Sequence, residues 1–147
     1  MLDRRSVISS GATLAGLAAT LSAPVSAQTA SSESVKAMTF DECIDKCLAS
    51  HRRCLETASY SIGRDPAPAS AQHIAILLDC AELCQSTANS MLRKSPQHAL
   101  FCEACARLCE ICAEACLAQG SDARLRVCAE TCRDCARSCR DMVAMRM

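Results

Sequence analysis

Five cysteines, Cys102, Cys105, Cys109, Cys112 and Cys116, stand at gaps of three, four, three and four. Residues so spaced return to one face of an α-helix, the a/d stripe that normally carries Leu and faces a bundle interior. Cys128, Cys132, Cys135 and Cys139 repeat the rhythm. Upstream, Cys43 and Cys47 continue through His51 to Cys54, and Cys80 and Cys84 are flanked at the same spacing by His73 and Met91. Four stripes of this kind predict four helices with all 14 thiols turned inward. Large rings are scarce, with no Trp, one Tyr and two Phe, so the thiols stand where a core of this size would place bulkier groups. A core filled with cysteine as a small hydrophobe is underpacked beside one of Leu, so packing alone does not account for the pattern.

The local signals agree with four helices. Thr39-Phe40-Asp41-Glu42 has the form of a capping box and opens a first helix running to about Tyr60. Gly63 and the prolines at 66 and 68 break the chain, and a second helix is expected from about Ser70 to Leu92. Ser95-Pro96 reads as an N-cap followed by an N1 proline for a third helix, lasting to about Ala118. Gly120 ends it, and Ser121 or Asp122 caps a fourth. No segment shows strand alternation. The expected fold is all-α, an antiparallel four-helix bundle with a cysteine-lined core over residues 38–147.

Residues 1–27 read as a signal peptide. Arg4-Arg5 precedes a mildly apolar run that is too short to span a membrane, and Val25-Ser26-Ala27 offers small residues for cleavage. The arginine pair resembles a twin-arginine signal, so an exported, periplasmic protein is expected, with residues 28–37 as a disordered leader. The 16 basic and 16 acidic residues are interspersed, without the clustered positive face that nucleic acid requires.

Thiols in this arrangement point to a soft metal. Neighbours at i, i+3 or i+4 hold their Cβ atoms about 5–6 Å apart, whereas a disulfide wants roughly 3.5–4.5 Å. Disulfides within a helix would distort it, and a few between helices remain open. Zinc needs four ligands per structural site, and each four-thiolate site carries two negative charges into a dry interior. Cu(I) favours thiolate and thioether ligands, accepts two or three, and is neutral at one ion per thiolate. Iron–sulfur clusters usually draw on irregular loops. Cu(I) therefore ranks first, ahead of zinc or mixed soft metals, disulfides and clusters. Cys-x-x-Cys at Cys102/Cys105, Cys109/Cys112 and Cys132/Cys135 lacks the βαβ context of a redox site, and no catalytic grouping stands apart from the stripes, so an enzyme is not expected.

Antiparallel threading gathers Met38, Met91, His98 and Met142 at one end, with Met145 nearby, as a soft-ligand mouth for Cu(I). His51 joins the ligand set through its place in the first stripe. The expected metal ligands are thus the fourteen cysteines with His51, Met91, His98 and Met142. His73 lies at the opposite end.

The paired arginines, the four helices and the inward pairs Cys43/Cys47, Cys80/Cys84, Cys105/Cys109, Cys112/Cys116, Cys128/Cys132 and Cys135/Cys139 resemble the bacterial copper storage proteins, specifically their exported branch. The resemblance covers essentially the whole chain after the leader. It implies storage of many Cu(I) ions, for later supply to copper enzymes and protection from free copper, in a homotetramer; bridging by soft thiolates sets the expected capacity at about one ion per cysteine. Cytosolic members of the family tend to have a more polar, His-bearing core, which the sequence is not expected to match. The competing expectation is a disulfide-stabilised or zinc-binding exported protein.

Overall fold

In the structure, a computed structural model, residues 37–64 and 69–145 are described. The expected signal peptide, residues 28–36 of the expected leader and residues 65–68 of the first break lie outside the described residues. Four helices follow in order: α1 Phe40–Ile62, α2 Ala71–Leu92, α3 His98–Ala118 and α4 Ala123–Ala144. No strand occurs among the described residues.

The helix ends show why the elements start and stop where they do. Thr39 Oγ1 accepts the amide of Glu42 at 3.2 Å, while the Glu42 carboxylate accepts the Thr39 amide at 2.9 Å, so both arms of the capping box are made. Ser70 caps α2 through the His73 amide at 3.2 Å. Asp122 caps α4, taking the amides of Arg124 and Leu125, and its other oxygen accepts the Tyr60 hydroxyl at 2.9 Å. Gly120, at φ +104, carries the chain out of α3 in a conformation that costs L-residues.

The start of α3 departs from expectation. Ser95 is not its N-cap. The Ser95 amide bonds the Ser90 carbonyl at 3.0 Å and the Lys94 amide bonds the Met91 carbonyl at 2.8 Å, the two bonds of a Schellman motif closing α2. Ser95 therefore belongs to the end of α2, and Lys94 takes the left-handed position, at φ 52, that glycine usually fills. The chain then makes a turn, with the His98 amide on the Ser95 carbonyl, before α3 begins at His98.

Each helix packs on its two neighbours, α1 on α2 and α4, α3 on α2 and α4, while the diagonal pairs meet only through side chains. Cys43 of α1 lies beside Cys139 of α4, and Cys54 beside Cys128 and Cys132, so these two helices run antiparallel. Alanines adjoin many of the cysteines in sequence: Ala81, Ala106, Ala113, Ala129 and Ala136 are all buried. Small side chains there let the helices approach closely, which brings the sulfurs of facing stripes together. The larger apolar groups of the deep core stand at its ends, Leu77 and Leu125 at one and Met91 and Met142 at the other.

Candidate metal centre

All fourteen thiols are fully buried, each at 0% exposure, and all are free. They form a column along the bundle axis. From the methionine end it runs through Cys43, Cys102 and Cys139; then Cys47, Cys105, Cys135 and Cys139; then Cys84, Cys105, Cys109 and Cys135; then Cys54, Cys80, Cys112 and Cys132; and finally Cys112, Cys116 and Cys128. Within each group every sulfur lies within 4.8 Å of the others. Cys139, Cys105, Cys135 and Cys112 each serve two groups, and the third and fourth groups meet where Cys80 stands 3.6 Å from Cys109.

Neighbouring sulfurs are 3.5–4.0 Å apart, Cys84 to Cys109 being among the closest and Cys54 to Cys128 among the widest. A disulfide needs about 2.05 Å. Three sulfurs around one ion, at metal–sulfur bonds near 2.3 Å, stand about 4.0 Å apart. The column is thus spaced for ions held by two or three sulfurs, with small outward shifts.

Protonation follows from who donates to whom. Burial by itself favours the neutral thiol. Hydrogen bonds from Cys109, Cys112, Cys128 and Cys54 hold Cys132 well below the ordinary thiol range, and Cys109, Cys135, Cys139 and Cys47 do the same for Cys105. Cys112 and then Cys116 bring Cys128 down to about 4. The donors move the other way: Cys112 is held high by Cys116, Cys128, Cys132 and Cys54, and Cys135 by Cys105, Cys109, Cys139 and Cys47. A proton shared between two neighbouring sulfurs keeps them from repelling as a pair of anions. A monovalent cation that replaces the shared proton relieves the same repulsion.

The remaining expected ligands fall in different places. Met91 is fully buried, and Cys102 points its S–H at the Met91 sulfur at 3.9 Å. Met142 is buried at the same end. His98 sits at the rim, its Nδ1 2.9 Å from the Ser95 carbonyl oxygen and its ring 4.8 Å from that of Phe40. It helps line an open cavity of about 380 Å³ with Phe40, Ile44, Met91, Lys94 and Pro96. Met38 is partly buried against the core and Met145 is exposed. His51 is half-buried, with Nδ1 2.9 Å from the Ala81 carbonyl oxygen, so its ring pins α1 to α2 and belongs to none of the thiol groups.

Three core groups were not in the expected set. Ser50 is buried with its hydroxyl 3.6 Å from Cys132 and 3.8 Å from Cys109. Ser138 accepts from Cys43 at 3.6 Å. His73, 2% exposed, places Nε2 3.2 Å from the Cys116 sulfur, and burial holds its pKa below the ordinary imidazole value. Ser50 was legible as spacing, because gaps of three and four join Cys47, Ser50 and Cys54 as well as they join Cys47, His51 and Cys54. The core is accordingly more polar and more His-bearing than expected.

Comparison with known proteins agrees with this geometry. A family model described as "Copper storage protein" matches residues 36–144. No curated protein matches the chain. Among solved structures, a protein from Nitrosospira multiformis is 35% identical over 72% of this chain and 95% of that one, with a TM-score of 0.63. Two copper storage protein structures from Streptomyces lividans are each 28% identical over 71% of this chain, with TM-scores of 0.67. They are covered over 92% and 83% of their own lengths. One carries five coppers and the other is loaded with 10 copper equivalents.

These comparisons correct one expectation. The exported, periplasmic location read from the leader is overturned, since the five-copper Streptomyces protein is described as cytosolic. Among the described residues no helix is long and apolar enough to cross a membrane. The bundle, its buried thiol column and the match over residues 36–144 show that this chain belongs to the copper storage protein family.

Proposed function

We propose that this chain stores Cu(I), many ions per molecule and about one per cysteine, along the axis of its bundle. The observation that carries the reading is the continuity of the column: fourteen buried sulfurs in five linked groups, with no thiol left outside. A protein that hands on a single ion has no use for such a column, and a disulfide scaffold would not keep neighbouring sulfurs at 3.5 Å or more. Family membership supports storage over catalysis.

All fourteen cysteines act as thiolate ligands in this reading. Each ion displaces thiol protons, is held by two or three sulfurs and shares them with the next, so charge does not accumulate in the dry interior. Cu(I) reaches the column at the methionine end. His98 and the cavity beside it form the rim, and Met91 and Met142 pass the ion to Cys102, Cys43 and Cys139. His51 serves the α1/α2 contact. A tetramer belongs to the same proposal, and Leu100 and Ile111, both exposed on α3, supply apolar surface for it.

Anaerobic Cu(I) titration of the reduced chain against a chromophoric Cu(I) chelator tests the reading. Tight uptake approaching one ion per cysteine, with helicity unchanged, is expected. Saturation at one or two ions would overturn it.

A further inference from the structure

Consecutive thiol groups of the column are joined by common sulfurs, with one exception. Cys139 belongs to the first and second groups, Cys105 and Cys135 to the second and third, and Cys112 to the fourth and fifth. The third and fourth groups have no sulfur in common. Cys80 and Cys109 approach to 3.6 Å across that junction. The α1 stripe, however, brings oxygen to it instead of sulfur: Ser50 Oγ lies 3.8 Å from Cys109 of the third group and 3.6 Å from Cys132 of the fourth. The junction leaves eight sulfurs on the methionine side and six on the leucine side.

Ser50 also differs from other buried hydroxyls of the bundle. Thr57, Thr87 and Ser138 donate to carbonyls one turn back in their own helices, those of Arg53 at 2.8 Å, Leu83 at 2.7 Å and Cys135 at 2.9 Å. The contacts of the fully buried Ser50 hydroxyl are both with sulfur. A hydroxyl can donate a hydrogen bond to a thiolate, which engages one of the sulfur lone pairs. It is a hard, neutral oxygen, so it does not replace a thiolate as a ligand or bridge for Cu(I).

We infer that Ser50 divides the stored copper into two clusters that exchange at different rates, an outer one on the eight sulfurs next to the methionine end and an inner one on the six sulfurs beyond the junction. The inference rests on the storage reading above and deepens it. Within either cluster a shared thiolate lets an ion pass to the next group without losing all of its sulfur contacts. At the junction an ion bound to Cys109 meets the Ser50 hydroxyl on its α1 side, where a further thiolate would otherwise stand, and it is held less well. Copper bound beyond that point must cross the weakly held position to reach the mouth, so the inner cluster is a slower reserve. Each crossing is a ligand exchange. One copper–sulfur bond breaks as another forms, the displaced thiol proton passes to the vacated sulfur, and no oxidation state changes.

The test is the time course of Cu(I) removal from the fully loaded, reduced chain by an excess of chromophoric Cu(I) chelator without oxygen. The parent is expected to release about eight ions in a first phase and about six in a second, slower by about tenfold or more. S50C changes one atom and supplies the missing sulfur, so it is expected to take up about one further ion and to release its copper in a single phase. S50A removes the hydroxyl without supplying sulfur and is expected to keep both phases. Circular dichroism of the apo variants checks that the helices are retained. A single phase in the parent or in S50A, or two phases in a helical S50C, would overturn the division and leave storage intact. Saturation of the parent at one or two ions would instead remove the storage reading, and this division with it.

Discussion

Cys112 and Cys43 occupy different kinds of place in one column. Cys112 belongs to two sulfur groups, one with Cys54, Cys80 and Cys132 and one with Cys116 and Cys128, whereas Cys43 belongs only to the group with Cys102 and Cys139. A shared thiolate bridges ions, so its loss should disturb more than one site. C112S is expected to lower tight Cu(I) uptake by about two ions and C43S by about one, as read by competition titration. Equal losses would mean that the sulfurs act independently. Ser50 illustrates what spacing leaves undecided. It and His51 fit the α1 stripe equally well, yet adjacent helical residues are turned about 100° apart, so only one can face the column. The packing of α1 against α2 gives Ser50 the interior and His51 the Ala81 carbonyl.

At the level of the helices, the caps carry information that the thiols do not. Lys94 holds the left-handed position of the α2 Schellman motif, a conformation that costs an L-residue about 1–2 kcal/mol. Part of any gain from glycine is lost to the freedom of the unfolded chain, so K94G is expected to stabilise the bundle by about 0.5–1 kcal/mol net. Chemical denaturation of the apo protein measures it, and a destabilised variant would contradict the motif. Asp122 ties the start of α4 to α1. The Tyr60 hydroxyl, followed by the amides of Leu125 and Arg124, holds its carboxyl below the ordinary carboxylate range. For a lowered acid, the stabilisation is complete above the unfolded value near 3.9 and is lost as pH falls through the folded value. Acid unfolding should accordingly be flatter below about pH 4 in D122N, which keeps a side-chain cap but not the charge. A wild-type-like acid limb in D122N would mean that this carboxylate contributes nothing to acid stability. The capping box of α1 was visible in four consecutive residues because all its bonds are local. The start of α3 was not, because Ser95 is drawn back to Ser90 by the end of another helix.

Across the whole molecule, sulfur replaces the large side chains that usually stabilise a bundle, and the deep core keeps bulk chiefly at Leu77, Leu125, Met91 and Met142. Copper that binds the folded state alone stabilises it by mass action, by about 4 kcal/mol for one site at a thousandfold excess over its Kd. The midpoint of thermal unfolding, followed by circular dichroism under anaerobic conditions, is therefore expected to rise progressively with Cu(I). An unchanged midpoint at full loading would show that unfolded thiols bind as well as folded ones, and that the column is not preorganised. The sequence by itself determined that there would be four helices, which stripe of each would face inward, and that the stripes would be sulfur, because helical periodicity is a local property repeated at every turn. Only the tertiary structure decided how the fourteen sulfurs divide into linked groups, that Ser50 rather than His51 enters the column, and that His73 reaches Cys116. Those outcomes depend on the rotation and axial offset of one helix against another, and the spacing of residues within a single helix carries no record of either.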